Sequence, residues 1–221
     1  MYMESIFITF EGGDGAGKTT QIQMLYDYLS AQSLSVVAVR DPGGTAIAEQ
    51  IRAMVKSNAN ADIYVRTEAL LYLASRCEMV EKLIRPQLSA GRIVLCDRFA
   101  DSTIAYQGFA NGLKVEDLEY IGKFATGDLM PTITFYLKLD PRDGLLRKTA
   151  QQDFDRLENK GLCYHKKVEE GFEYLAKNNP HRIIAIDARL PIDDIHQIIV
   201  RQTNEILKRY NLIENDTFGI K

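Results

Sequence analysis

Short runs of apolar, often β-branched residues alternate with longer amphipathic stretches along most of the chain. Five of these runs are nearly continuous in apolar residues, as is typical of strands buried on both faces. The predicted strands span residues 6–10, 36–40, 93–97, 133–139 and 183–187. Because helical patterns separate successive runs, we predict an α/β fold with a five-stranded parallel sheet and helices on both of its faces.

The stretches between the predicted strands have apolar residues at helical spacing. The predicted helices span residues 18–31, 46–55, 66–89, 115–126, 142–150, 157–177 and 192–210. Pro86 is expected to kink or divide the third of them, because proline lacks a backbone N–H. The chain has 221 residues and no segment with the composition of a linker, so we predict a single domain over residues 1–221.

A glycine-dense turn joins the first predicted strand to the first predicted helix and matches the pattern GxxxxGK[ST]. Its glycines allow consecutive N–H groups to converge on phosphate oxygens at a helix N-terminus. Lys18 is predicted to reach the β and γ phosphates, and the Thr19 hydroxyl to ligate Mg²⁺. We therefore predict a nucleoside triphosphate site rather than a structural glycine turn. Its phosphate-binding residues are Gly12, Gly13, Asp14, Gly15, Ala16, Gly17, Lys18, Thr19 and Thr20.

Charged residues follow the second and third predicted strands, at the edge of the sheet where such folds bind ligands. Asp97 ends the run IVLCD, in the position of an acid that holds Mg²⁺, although an ordinary strand-end aspartate explains it equally well. Arg98 follows it and Arg40 ends the neighbouring strand, and guanidinium groups suit phosphate. Together with the lysine of the glycine turn they indicate more phosphate than one nucleotide carries, unless they pair with carboxylates such as Asp41 or Glu11.

Composition and charge narrow the possible partners. The formal net charge of −3 leaves no basic stripe for a nucleic acid, and no apolar run approaches the length of a membrane span. Cys77, Cys96 and Cys163 are odd in number and scattered, which favours a reducing cytoplasm over a disulfide framework. The first residues lack a signal-peptide pattern. These features favour small anionic ligands.

An ordered set of motifs resembles the bacterial thymidylate kinases and covers nearly the whole chain. The motifs are FEGGDGAGKTTQ, VRDPGGT (39–45), EALLYLASR (68–76), DRFADSTIAYQG (97–108), DRLE (155–158) and AIDA (185–188). The resemblance implies a three-layer P-loop NTPase fold with a short lid at about residues 142–156. It also implies transfer of the γ-phosphoryl group of ATP to dTMP with Mg²⁺, in a homodimer.

The resemblance further implies how dTMP is held by its phosphate and sugar. Arg40, Arg52 and Arg98 would surround the phosphate, and Asp14 would accept a hydrogen bond from the 3′-hydroxyl. Tyr106 would pack on the sugar and exclude a 2′-hydroxyl. Taken alone, this tyrosine fits ordinary core packing equally well.

Four residues are implied at the thymine base. Arg76 would donate to thymine O4, and Thr103 and Gln107 would meet N3 and the base edge. An arginine donor at this position disfavours cytosine, whose amino group would lack an acceptor in a buried site. Tyr72 would stack on the base, where relatives have phenylalanine, although core packing is again an alternative.

The predicted chemistry needs no general base, because a phosphate monoester is largely dianionic at pH 7. Lys18 and Arg98 would position the phosphates and neutralise their charge. Gly15 stands where another branch of the family has an arginine, so the resemblance implies that the lid supplies one, either Arg147 or Arg156. The alternative for Arg147 is a solvated helix face, and the alternative for Arg156 is an ion pair with Glu158 at a helix start.

Five positions depart from the family pattern, and Tyr72 for phenylalanine and Phe99 for tyrosine are the milder changes. Asp41 replaces a glutamate before Pro-Gly-Gly, and its contact near Mg²⁺ would be made through water; Gln151 and Gln152 replace residues of the lid that are often basic. Two other functions remain as alternatives. The first is a kinase for another nucleotide or nucleoside, and the second is a nucleotide switch, for which the chain lacks an NKxD-like motif.

The helix predicted from residue 66 has more apolar surface than one contact with the sheet requires. Its apolar residues are Ala69, Leu70, Leu71, Leu73 and Ala74. We expect this surface to pack against a second copy of the chain.

Overall fold

The computed structural model of the chain describes residues 6–149 and 155–213. Its five strands form one parallel sheet in the order β2-β3-β1-β4-β5. The strands are β1 (Phe7–Glu11), β2 (Val36–Arg40), β3 (Ile93–Asp97), β4 (Ile133–Lys138) and β5 (Ile183–Asp187). The predicted parallel sheet is therefore confirmed, although the first strand begins and ends one residue later than predicted and the fourth ends one residue earlier.

Nine α-helices lie in the described part of the chain. They are α1 (Lys18–Ala31), α2 (Ala46–Lys56), α3 (Val65–Met79), α4 (Arg85–Ser89), α5 (Ala100–Thr103), α6 (Val115–Thr126), α7 (Pro141–Thr149), α8 (Gly161–Asn178) and α9 (Ile192–Arg209). A π-helical turn, Val80–Ile84, separates α3 from α4, and Pro86 lies in the first turn of α4, so the predicted division of this long helix is confirmed. None of these helices is long and apolar enough to span a bilayer.

Helices cover both faces of the sheet, because neighbouring residues of a strand point to opposite sides. Ile8 and Phe10 of β1 face a core that includes Leu25 of α1 and Ile199 of α9. Phe7, on the other side, packs in a separate cluster with residues from α3, the first π turn and β3. A third cluster joins α8 to β4 on that same side. This arrangement confirms the three-layer α/β architecture.

The expectation that every strand is buried on both faces is correct for the three central strands and wrong for the two outer ones. All residues of β1 are buried, whereas Ala38 and Arg40 of β2 and Ala185 of β5 are exposed. The strand order explains the difference, because β2 and β5 form the edges of the sheet. An apolar run therefore identifies a strand without telling whether it lies at an edge.

Two helical segments differ from the prediction. The chain after β3 forms the single turn of α5 and then a second π-helical turn, Ile104–Ala110, where no helix was predicted. A four-residue helix followed by a π turn has no 3.6-residue apolar period, so pattern analysis cannot detect it. The helix predicted from residue 157 begins instead with a 3₁₀ turn, Glu158–Lys160, and α8 starts at Gly161, whose φ is 79°.

Candidate active site

The glycine turn of the GxxxxGK[ST] pattern, hereafter the P-loop, connects β1 to α1 in a conformation that requires glycine. Gly12 and Gly17 have φ values of 136° and 89°, and a Cβ on Gly12 would lie 2.4 Å from the Leu137 carbonyl oxygen. The buried Lys18 ammonium donates to the Gly13 and Gly12 carbonyl oxygens, at 2.8 and 3.2 Å. Burial, and secondarily the charge of Arg98, lowers the pKa of Lys18 to about 8. The lysine is thus held at the base of the loop.

The two predicted metal ligands lie beside each other at the P-loop. The Thr19 hydroxyl donates to Asp97 Oδ2 at 3.4 Å, and Asp97 ends β3. Asp97 Oδ1 is buried and has no hydrogen-bond partner among the described residues. A hydroxyl and a carboxylate oxygen that lacks a partner match the few oxygen ligands with which proteins hold Mg²⁺ beside nucleotide phosphates. These residues fit the predicted metal.

Arg98 lies directly after β3 and reaches back across the P-loop. Its φ of 67° turns the chain sharply, and its guanidinium donates to the Gly12 carbonyl and to Asp14 Oδ1, each at 2.8 Å. Its Cζ atom also lies 5.2 Å from the centroid of the Tyr106 ring. The carboxylate that pairs with Arg98 is therefore Asp14. The sequence analysis had considered Glu11 and Asp41 as its possible carboxylate partners.

The two other arginines predicted to bind phosphate lie at the end of β2 and on α2. Arg40 is exposed and pairs with Glu49 at 3.1 Å, again a different partner from those considered above. Arg52 donates to the Pro42 carbonyl oxygen at 2.8 Å. Both arginines line the same cleft as Arg98. The ion pair between Arg40 and Glu49 lies at the surface, where such pairs hold a side chain only weakly.

The other end of the cleft, hereafter the base end, contains Tyr72, Arg76, Thr103 and Gln107. Arg76 is only 2% exposed, and it donates through Nε to Asp41 and through Nη1 to Thr103 Oγ1 at 2.8 Å. Burial raises the pKa of Asp41, while the charge of Arg76 opposes that change. Asp41 thus orients the predicted base-reading arginine and pairs with it, a contact that the sequence analysis did not predict.

Arg147 and Arg156 were predicted as alternative catalytic arginines of the lid, and the structure separates them. Arg147 of α7 lines the cleft and donates to the Gly15 carbonyl oxygen at 3.3 Å. Arg156 is 4% exposed, lies outside the cleft, pairs with Glu68 and donates to the Val55 carbonyl oxygen at 2.9 Å. The guanidinium of Arg156 is therefore used in a buried ion pair with Glu68, not with the Glu158 considered from the sequence, and Arg147 is the candidate that lies at the cleft. Gln151 and Gln152 lie outside the described residues.

The P-loop and α7 approach each other through two glycines. A Cβ on Gly15 would lie 2.4 Å from the Gly144 carbonyl oxygen, and a Cβ on Gly144 would lie 2.3 Å from the Asp14 carbonyl oxygen. A larger residue at position 15 would therefore require α7 to move. The same approach brings Arg147 of α7 to the P-loop, where it donates to the Gly15 carbonyl oxygen.

Glu11 supports the site from behind the cleft, a role that the sequence analysis did not predict. Its carboxylate is fully buried and accepts hydrogen bonds from Phe99 N at 2.7 Å and from Ser102 Oγ at 2.6 Å. Burial, and secondarily the nearby Asp101, raises its pKa from about 4.5 to about 7. Glu11 thereby holds the backbone that follows Arg98. An acid that ends an apolar strand next to a phosphate loop was the only signal for it in the sequence.

A single cleft of about 460 Å³ joins the P-loop to the base end. Of all the residues predicted for the site, only Gly12, Gly13, Ala16 and Arg156 do not line it. The cleft has lysine and arginine side chains at its centre and a buried arginine with amide and hydroxyl groups at one end. These groups suit a ligand that carries phosphate at one end and polar groups at the other.

Residues 10–199 match the family model described as thymidylate kinase. The chain belongs to the thymidylate kinase family. It is 46% identical to the thymidylate kinase of Symbiobacterium thermophilum over 205 residues, which cover 93% of this chain and 95% of that protein. It is 43% identical to the thymidylate kinase of Bacillus velezensis over 212 residues, or 95% of this chain and all of that protein.

A solved structure shows the same fold. The crystal structure of thymidylate kinase from Ehrlichia chaffeensis superposes with a TM-score of 0.73 at 34% identity, covering 90% of this chain and 98% of that chain. The predicted P-loop NTPase fold and the predicted family are therefore both confirmed.

Proposed function

We propose that this protein is a thymidylate kinase, which phosphorylates dTMP to dTDP with ATP and so supplies dTTP for DNA synthesis. The observation that carries the proposal is the continuous cleft from the P-loop to the base end, with Arg98 at its centre. A chain that only switched between nucleotide states would have no use for a cleft whose arginine lining continues beyond the P-loop. Family membership supports the same reaction.

In the proposed reaction an oxygen of the dTMP phosphate attacks the γ-phosphorus of ATP, and the bond between that phosphorus and the bridging oxygen of ADP breaks. The acceptor is largely dianionic at neutral pH, so no residue needs to remove a proton from it. Lys18 would exchange its bonds to the P-loop carbonyls for bonds to phosphate oxygens. Arg98 would neutralise charge between donor and acceptor, and Arg147 would add charge from α7, the start of the proposed lid.

Mg²⁺ that enters with ATP would be held by Thr19 and Asp97, with water completing its ligands. When bound, it would neutralise charge on the donor phosphates. The support is the geometry of the two residues: a hydroxyl in contact with one oxygen of Asp97, and the other oxygen buried without a partner among the described residues.

The proposed acceptor site holds dTMP at both ends. Arg40 and Arg52 would bind its phosphate together with Arg98, while Asp14 accepts from the sugar hydroxyl. At the base end, Tyr72 would stack on thymine and Arg76 would donate to O4. Because Arg76 is buried and held by Asp41, a base without an acceptor at that position would leave its donors without partners, which is costly.

We also propose that the enzyme acts as a homodimer through α3 and α6. Ala69 and Leu73 of the predicted apolar surface face the interior, but Leu70 is 58% exposed. On the adjacent helix α6, Tyr120 and Phe124 are 79% and 86% exposed, one turn apart. Exposed apolar side chains clustered on neighbouring helices are typical of an interface between subunits. A wild-type species of only 25 kDa in sedimentation at micromolar concentration would contradict this proposal.

The cytoplasm is the proposed location. Cys163 is an exposed free thiol and Cys77 is half-buried, a state that a reducing compartment maintains.

An assay of ATP consumption with a panel of acceptors tests the function. We expect dTMP to be the best substrate, ahead of dUMP, dGMP and thymidine, and we expect Arg98→Ala to abolish nearly all transfer while the protein stays folded. Preference for thymidine would contradict the phosphate role of the arginines. ADP release at the same rate with and without dTMP would favour a nucleotide switch instead.

A further inference from the structure

Glu68 of α3 is a buried carboxylate at the junction of three parts of the chain. It is 1% exposed, and its Oε1 atom accepts hydrogen bonds from Gln107 Nε2 and Asn111 Nδ2, each at 2.8 Å. Its Oε2 atom pairs with Arg156, and the Lys160 ammonium lies 3.7 Å from that same oxygen. Four donors thus converge on one side chain that does not itself line the cleft.

The charge of Glu68 determines how the Gln107 amide is oriented. The two ends of an amide are told apart by their partners. Both carboxylate oxygens of Glu68 face guanidinium, ammonium or amide donors and so act as acceptors, which means that the Gln107 atom facing one of them must be the NH₂ group. Asn111 agrees with this assignment, because its NH₂ group also faces Glu68 and its oxygen accepts from Lys160 at 3.1 Å.

The orientation of the amide leaves the Gln107 oxygen for the cleft. Gln107 lines the base end, and no side chain or backbone group within the described ranges donates to its Oε1 atom. An oxygen fixed in this way accepts a hydrogen bond and cannot donate one. Thymine and uracil carry an N–H at ring position 3, whereas cytosine carries only a lone pair there. A fixed acceptor therefore favours thymine and uracil and disfavours cytosine.

We propose that Glu68 is a positioning residue for base selection, because it holds the Gln107 amide with its oxygen toward the base. The inference rests on the proposed function and adds a residue that acts through another one. Arg76, held by Asp41, presents a donor to the base, and Gln107, held by Glu68, presents an acceptor. The two buried carboxylates thus set opposite hydrogen-bonding characters at adjacent positions of one base edge.

The substitution Glu68→Gln tests the inference, with dTMP and 5-methyl-dCMP as the two probes. These nucleotides have the same size and differ in the hydrogen bonds they offer at positions 3 and 4. A glutamine at position 68 can donate or accept, so Gln107 becomes free to turn its amide over. We expect the ratio of kcat/KM for the two nucleotides to fall by about tenfold or more, the effect of one mismatched buried hydrogen bond. The fall should come from both a weaker reaction with dTMP and a stronger one with 5-methyl-dCMP.

Two further variants separate positioning from a purely structural role. Arg156→Met removes one charged partner of Glu68 but leaves Lys160 and Asn111 facing its oxygens, so it should lower the melting temperature while the nucleotide ratio stays within about twofold of wild type. Glu78→Gln is a matched control on the same helix, where the carboxylate pairs with Lys82 near the surface, and it should change neither quantity.

The double variant Glu68→Gln/Gln107→Glu tests whether the nucleotide ratio can be restored. A carboxylate at position 107 presents an acceptor to the base in every orientation and can still accept from the glutamine at position 68. We expect this double variant to recover most of the wild-type ratio, and it answers the question by itself if Glu68→Gln does not fold.

An unchanged ratio in Glu68→Gln, an equal fall in Arg156→Met, or a double variant whose ratio stays tenfold low would each overturn the inference. A wild-type protein that does not phosphorylate dTMP would instead contradict the proposed function, so the two failures are distinguishable.

Discussion

Replacing Glu11 by glutamine should remove a large part of the dependence of folding stability on pH. The carboxyl group lies fully buried at the end of β1, and its pKa is raised from about 4.5 to about 7, mainly by burial. Glutamine has the same shape, so its oxygen can accept from Phe99 N and Ser102 N as Glu11 Oε1 does, while its amide donates to the Ser102 hydroxyl. We therefore expect the variant to fold.

The sign and size of the effect follow from the raised pKa. Between pH 4.5 and 7 the folded protein keeps a proton on Glu11 that the unfolded chain has lost, so the free energy of unfolding falls as pH rises through this range. The shift is 7 minus 4.5, or about 2.5 units, and each unit corresponds to about 1.4 kcal/mol. Its full effect is about 3 kcal/mol. Between pH 5 and pH 8 the wild-type protein should lose about 2 to 3 kcal/mol of its free energy of unfolding through this group. Glu11→Gln should show no such loss, because its side chain does not titrate.

Urea unfolding at pH 5 and pH 8 measures the effect as the difference between the two proteins. Other groups titrate over the same range, but they do so in both proteins and cancel in the difference. Glu170→Gln, at an exposed position of α8, is the matched control and should follow wild type at both pH values. Parallel stability profiles for wild type and Glu11→Gln would refute the reasoning, because they would show that the buried carboxyl titrates at its ordinary pKa.

Three further outcomes are expected. A glycine-to-alanine change usually stabilises a helix by about 1 kcal/mol. Gly144→Ala should instead lower the melting temperature and raise KM for ATP, because its Cβ would lie 2.3 Å from the Asp14 carbonyl oxygen. A stabilised variant with a normal KM would contradict this prediction. Arg182→Met should cost about 3–5 kcal/mol in urea unfolding, because it leaves the buried Asp101 unpaired; a loss under about 1 kcal/mol would show that Asp101 is solvated. Arg147→Ala should lower kcat by up to about 10³-fold with little change in KM for dTMP, and an unchanged kcat in steady-state assays would remove Arg147 from the chemistry.

Most of the fold could be predicted because its signals are local. A run of apolar residues identifies a strand, and a glycine turn between strand and helix identifies a phosphate loop. The segment that forms α5 and its π turn was missed for the same reason, since its shape is set by contacts with distant parts of the chain. Ala105 packs against Gly171 of α8, where a Cβ would lie 2.7 Å from the Ala105 Cα atom. No sequence window contains both of those residues.

The candidate site also combines local and distant signals. Residues that would contact ligands lie in local motifs, whereas the residues that hold them in place come from distant parts of the chain. Lys18, Arg98 and the residues predicted for a dTMP site could be named from motifs, and the structure brings them to one cleft. Their partners could not be assigned. Glu68 lies 88 residues from Arg156, so its ion pair depends on the packing of α3 against the chain that follows the lid. Arg156 was predicted to be catalytic because its neighbours in sequence resemble a lid, whereas its neighbours in space are Glu68 and the end of α2.

The arginines of this site are therefore held by acids of the same chain, and that arrangement has a consequence for binding. Lys18, Arg98 and Arg76 would repel one another if each were unpaired, and burying a lone charge is costly. Asp14 pairs with Arg98 and Asp41 pairs with Arg76, so the folded chain holds its guanidiniums at fixed positions before any ligand arrives. A phosphate then meets donors that need little reorganisation, which is the condition under which charge stabilisation is most effective in phosphoryl transfer. The chain can thus keep a net negative charge and still present a cationic cleft to the two anionic nucleotides of the proposed reaction.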